Sequence, residues 1–148
     1  MKHFARRPRT DLEVVERGYE HFNRGDLDWV IGHLAPGVVW EDARQMPDAR
    51  TYRGLDDVRR FLTSFGRHWE EIRFELEDIR AGGGTVIAFV HLVGRGKASG
   101  AEVDAHLVHV WEMRDLLVTR IRTFFDREEA ERAAASVGES PERAGGSR

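Results

Sequence analysis

Ile72-Arg73-Phe74-Glu75-Leu76-Glu77 alternates apolar and charged side chains without a break, the pattern of a strand with one buried face. The chain before it follows a longer period. Leu55, Val58, Leu62, Phe65 and Trp69 are spaced three, four, three and four, so they form one apolar stripe on a helix opened by Gly54. The chain after it keeps the period of two. Gly82-Gly83-Gly84 is a turn, and strands follow over about 85–96, 102–113 and 117–125, the last two joined by the short turn Arg114-Asp115-Leu116. Helices first and antiparallel strands after them predict an α+β domain with helices over one face of a curved sheet.

Toward the N-terminus, Thr10 and Glu13 form a capping box for a helix whose apolar face carries Leu12, Val15, Tyr19 and Phe22. Gly25 ends that helix. Asp26 caps a second, short one with Leu27, Val30, Ile31 and Leu34, which Pro36-Gly37 stops. Val38-Val39-Trp40-Glu41-Asp42 is β-branched and aromatic and reads as a strand; Pro47-Asp48 marks a turn, and Thr51-Tyr52-Arg53 a brief strand. Asp126 and Glu129 read as a second capping box, opening a terminal helix through about Ser136. The domain therefore spans 10–136, with residues 1–9 and 137–148 as tails.

The chain of 148 residues suffices for one hydrophobic core, with 41% hydrophobic and 33% charged residues. A formal net charge of -3 speaks against nucleic acid as a partner, because neutralising phosphates needs a basic face. Cysteine is absent, which removes disulfides, thiolate nucleophiles and cysteine metal sites. No apolar run resembles a signal peptide or a membrane span, so no membrane partner is expected and a cytoplasmic location is.

The order of these elements, together with Phe22-Asn23-Arg24-Gly25-Asp26-Leu27-Asp28, Val38-Val39-Trp40-Glu41-Asp42 and Tyr52-Arg53-Gly54, resembles the cone-shaped nuclear-transport-factor-two-like fold. Gly94 through Gly100, His109-Val110-Trp111 and Phe125-Asp126-Arg127-Glu128-Glu129-Ala130 resemble its SnoaL-like, polyketide-cyclase-like subgroup in particular. Leu116-Leu117 stands where that subgroup often has Gly-Lys, which implies a different last turn. The resemblance implies a pocket between helices and sheet that takes a hydrophobic small molecule, often in a homodimer. The superfamily includes isomerases, dehydratases, cyclases and plain binding proteins, so fold alone does not give the reaction.

Within that resemblance, Asp42 matches the carboxylate that serves the steroid isomerases as a base. Alternation puts Val38, Trp40 and Asp42 on one face; the bland alternative ends the strand at Asp42 or pairs it with Arg44. His109 falls where those enzymes keep a donor for a developing oxyanion. Aligning the last hairpin through its turn puts Leu107, His109, Trp111 and Met113 on the apolar face, although a core histidine would occupy the same place. Tyr19 lies one position beyond the isomerase tyrosine, which falls on Gly18, so its ring belongs to the core with its hydroxyl at the pocket. Trp40, Trp111 and Phe125, the last at the inward end of the final strand, complete the expected substrate contacts. Asp126 reads as a helix cap, and His91 can face either way.

No cofactor is expected. No metal is expected either: His106 and His109 point to opposite faces, and Asp104 with His106 makes only two ligands. Three readings follow. The first is a cofactor-independent cyclase or isomerase using Asp42 and His109. The second is a binding protein for an apolar metabolite. The third is a dimeric module pairing through an outer face that carries His106, Val108 and Val110.

Overall fold

The computed structural model describes residues 6–138, so of the expected tails 1–9 and 137–148 the stretches 1–5 and 139–148 lie outside the described residues, while 137 and 138 belong to the terminal helix. Helix α1 (Asp11–Asn23) starts where Thr10 Oγ1 accepts the Glu13 N–H at 3.1 Å. The Glu13 carboxylate reaches one residue further back than a capping box requires and accepts the Arg9 N–H at 2.7 Å. Gly25, at φ +82°, reverses the chain, and Asp26 caps α2 (Leu27–Ile31) by accepting the Trp29 N–H.

Strand β1 (Leu34–Glu41) then begins three residues before Gly37. Leu34 is thus a strand residue, not the end of α2, and Pro36-Gly37 interrupts a strand instead of preceding one. The register against the last strand shifts between Leu34 and Val39, an irregularity that accommodates a proline without its ladder donor. Strand β2 (Thr51–Arg53) and helix α3 (Leu55–Arg67) follow. Trp69 leaves the predicted helical stripe and opens β3 (Trp69–Gly82). Its ring still meets Phe65 at 6.1 Å, so the apolar contact persists across the change of structure. Strands β4 (Thr85–Gly96), β5 (Glu102–Arg114) and β6 (Leu117–Phe124) and helix α4 (Arg127–Gly138) complete the chain. Arg114 pairs with Leu117, so the last turn has two residues, Asp115 and Leu116, both left-handed at φ +55° and +64°.

The six strands form one sheet in the order β2-β1-β6-β5-β4-β3, parallel only between β1 and β6. This is the mixed α+β architecture expected. One face, with α1, α2 and α3, encloses the main core, where Val15, Val38, Val58 and Ile121 are fully buried. On the other face α4 lays Ala130 against Ile87, Phe89, Val108 and Val110. Val108 and Val110 are therefore covered by the chain's own helix, and the outer strip expected to pair two copies is not available in that form. Asp126 accepts the Glu128 N–H at 3.0 Å as the α4 cap, while Glu129 leaves the expected box and pairs with Arg44. Among the described residues no helix is long and apolar enough to cross a membrane.

One polar contact fixes α1 against the sheet. Strand β3 is an edge, so its outer backbone groups have no strand partner. The Asn23 amide satisfies two of them at once: it donates to the Phe74 carbonyl and accepts the Phe74 N–H, both at 2.9 Å. This anchors the end of α1 beside Phe74, a wall of the cavity.

Candidate functional site

Alternation along β1 and β5 decides which side chains reach the space beneath α1 and α3. Val38 is buried, and Trp40 and Asp42 follow it on the same face. From β5, Leu107, His109 and Trp111 project inward, while Met113 is buried in the adjoining core. These groups line one cavity of about 110 Å³, closed on the helix side by Val15, Tyr19, Phe22, Phe61 and Phe65. Asp42 and His109 therefore belong to the same hollow. Glu41, the neighbour of Asp42, points the other way and pairs with Arg120.

His109 is enclosed, only 4% exposed, and has no carboxylate beside it. Its Nδ1 lies 2.7 Å from the Tyr19 hydroxyl, and Trp111 Nε1–H donates to that hydroxyl at 3.1 Å. The tyrosine oxygen thus accepts from Trp111, and the tautomer that gives its buried O–H an acceptor is the one in which His109 Nδ1 is bare. Burial lowers the His109 pKa to about 4, so the ring is neutral at pH 7, and in the tautomer that accepts the tyrosine O–H its proton is on Nε2. Nε2 has no hydrogen-bond partner among the described residues. His109 is consequently a neutral hydrogen-bond donor rather than an acid. The same burial pushes the Tyr19 pKa up, which keeps the hydroxyl protonated.

Asp42 sits just beyond β1 and is only partly covered. Burial raises its pKa, opposed by the Arg50 backbone N–H, which donates to Oδ2 at 3.2 Å, and by the Arg50 charge. Its own N–H donates to the Arg50 carbonyl at 3.0 Å, so both strands of the loop 42–50 are tied together at this residue. Arg44 does not pair with Asp42; it reaches Glu129 on α4. The carboxylate is thus left beside an apolar cavity with no side-chain cation bonded to it, a setting that favours proton abstraction.

Trp40 stands at 6.3 Å from the His109 ring and 6.1 Å from Trp111, packing edge-on to both. Tyr19, Trp40 and Trp111 all line the cavity as expected. Phe125 does not. Strand β6 ends at Phe124, and Phe125 is 43% exposed in the turn to α4, so the inward alternation that placed it at the cavity stops one residue too early. Phe74, Met46 and Thr123 line the cavity without having been singled out. Phe74 could have been found from its parity with Leu76 in the alternating stretch; nothing in the pattern signals Met46. Gly18, the position the resemblance gives to a tyrosine, is an open patch of the cavity wall.

Solved structures share this architecture. A nuclear-transport-factor-two-like protein of unknown function from Burkholderia pseudomallei is 26% identical, with 82% of this chain and 95% of that chain covered and a TM-score of 0.71. A candidate SnoaL-like polyketide cyclase from a Jannaschia species is 18% identical over 87% of this chain and 97% of its own, at a TM-score of 0.68. TerC, solved with polyporic acid, is 21% identical over 84% and 98%, at a TM-score of 0.69. No curated protein matches the chain. The SnoaL-like domain family matches residues 15–121, a span that begins on α1 and ends inside β6 and takes in Tyr19, Asp42, His109 and Trp111. With most of its length and the whole of this constellation inside that match, the chain belongs to the SnoaL-like domain family.

Proposed function

We propose that the chain is a cofactor-independent enzyme of the cyclase or isomerase type, acting on a small hydrophobic carbonyl compound. The observation that carries the reading is a carboxylate and a neutral imidazole N–H lining one apolar cavity. Asp42 takes the proton from the carbon alpha to the carbonyl. The electron pair moves onto oxygen, and His109 Nε2–H holds the enolate oxygen by a hydrogen bond, as a neutral imidazole does where proton donation would be too costly. In an isomerisation Asp42 returns the proton to another carbon. In a cyclisation the enolate carbon attacks a second carbonyl of the same molecule, and the alkoxide recovers the proton from Asp42.

Size restricts the substrate. Drug-sized ligands occupy cavities of about 300–1,000 Å³, and a cavity of about 150 Å³ holds benzene. At about 110 Å³ this hollow fits a compound of one ring or less unless the loop 42–50 moves aside.

A probe for this chemistry is deuterium exchange alpha to the carbonyl of a small cyclic ketone in heavy water, followed by NMR. The wild-type chain is expected to accelerate the exchange. Asp42→Asn should reduce the acceleration by about a hundredfold or more, and the double variant with His109→Ala should abolish it while ketone binding persists. Normal exchange in both variants would overturn the mechanism. The almost wholly apolar lining, with the Tyr19 hydroxyl already engaged by Trp111 and His109, favours a second reading in which the cavity only holds an apolar metabolite. Thermal stabilisation by small ketones without exchange in the wild type would select it.

A further inference from the structure

The face of the sheet away from the cavity carries a second cluster of chemical groups. Leu92 and Leu107 line the cavity, so alternation sends their neighbours His91 and His106 to the opposite side. In the cross-strand register Glu75 of β3 pairs with His91 of β4, which pairs with His106 of β5, giving one row across three adjacent strands. The two imidazoles stack with centroids 4.4 Å apart and planes inclined by 6°. Asp104 Oδ1 lies 2.7 Å from His91 Nε2, and Glu75 Oε1 lies 3.3 Å from Nδ1.

A break in the ladder brings in the fifth group. Leu76 pairs with Val90 and Asp78 with Phe89, so Glu77 is an extra residue without a partner on β4. Such bulges redirect side chains. Here the Glu77 carboxylate lies 3.1 Å from His106 Nδ1.

We propose that Glu77, His91 and His106 bind one divalent cation of borderline softness, zinc by class, on the outer face of the sheet. One donor atom from each lies within 4.8 Å of the other two. Bonds of about 2.0–2.2 Å, as zinc makes to imidazole and carboxylate, need these atoms to draw inward by about an ångström. The rings must also turn out of their stack so that their in-plane lone pairs converge, a motion open to side chains at the surface. Of the two carboxylates against His91, one stays bonded to a ring nitrogen and orients it, as carboxylates do for zinc-bound histidines. The other joins the ion as a fourth ligand.

The expectation of no metal rested on His106 and His109 pointing to opposite faces and on Asp104 with His106 making only two ligands; the further groups come from the neighbouring strands β3 and β4. Bound ions would tie the edge strand β3 to β4 and β5 and stabilise the fold by mass action.

The test is titration of zinc into the chelator-stripped full chain, by calorimetry and by thermal unfolding. One ion per chain is expected, with a rise in the unfolding midpoint. His91→Ala, His106→Ala and Glu77→Gln should each weaken binding by about tenfold or more, whereas His68→Ala, on a histidine that bonds the Ser64 carbonyl, should not. The cluster is overturned if saturable uptake is absent, or if His91→Ala leaves the titration unchanged. The ketone exchange does not depend on this cluster, so the two proposals stand or fall separately.

Discussion

His109 is surrounded by Tyr19, Trp40, Phe74 and Trp111, and this company sets its proton affinity. Its pKa drops from 6.5 in an open chain to about 4 when folded. Between those values the unfolded chain binds more protons than the folded one, so stability falls as pH drops through this window and recovers above 6.5. The full effect is on the order of 3 kcal/mol. Asp42 acts in the opposite sense at lower pH: with its folded pKa raised, protonation favours the folded state, and that contribution is lost as pH rises. Urea unfolding between pH 4.5 and 7 should therefore show a steep acid loss in the wild type and a shallower one in His109→Gln. Equal slopes would mean that the imidazole is hydrated or charged in the folded protein. The inward positions of Asp42 and His109 were legible because strand parity has only two settings and Trp40, Leu107 and Trp111 select one of them. The neutral state of the ring was not legible, since it depends on burial among groups far apart along the chain, Tyr19 being 90 residues away.

Helix α1 and strand β3 meet through the Asn23 amide, and the contact explains why an asparagine rather than another helix former ends that helix. Asn23→Ala leaves the Phe74 N–H and carbonyl without their partner on an edge strand. A loss of about 1–3 kcal/mol is expected, measurable by chemical unfolding and by faster hydrogen exchange at the Phe74 amide. No change in either would show that water replaces the side chain at no cost. Boundaries were the least legible features of the elements, each for a physical reason. Leu34 fits the periodicity of α2, but parallel pairing with β6 draws it into β1. Trp69 fits the stripe of α3, a register shift between Trp69 and Glu71 breaks the alternation of β3 at that residue, and its contact with Phe65 satisfies either assignment. Phe125 follows the alternation of β6 correctly, but the cap of α4 has already claimed the chain.

At the scale of the whole molecule the sheet separates two environments, an apolar hollow beneath α1 and α3 and an ionisable row on the reverse. The first was legible from periodicity because burial imposes it. The second was not, because it depends on the register of three strands and on the extra residue at Glu77. The helices hold the hollow open at a cost to themselves. Gly18 lies in the interior of α1, and a Cβ built there meets nothing within 4 Å. Gly18→Ala should therefore stabilise the fold by about 0.5–1 kcal/mol and raise the unfolding midpoint, while reducing affinity for a ketone that fills the cavity. A stabilised variant with unchanged affinity would show that occupants never reach the helix. The bare backbone at residue 18 also works as a gauge. A graded series of glycine, alanine and valine there would lower the ceiling of the chamber step by step, and the largest guest each version still admits would measure how far toward that helix the natural one extends.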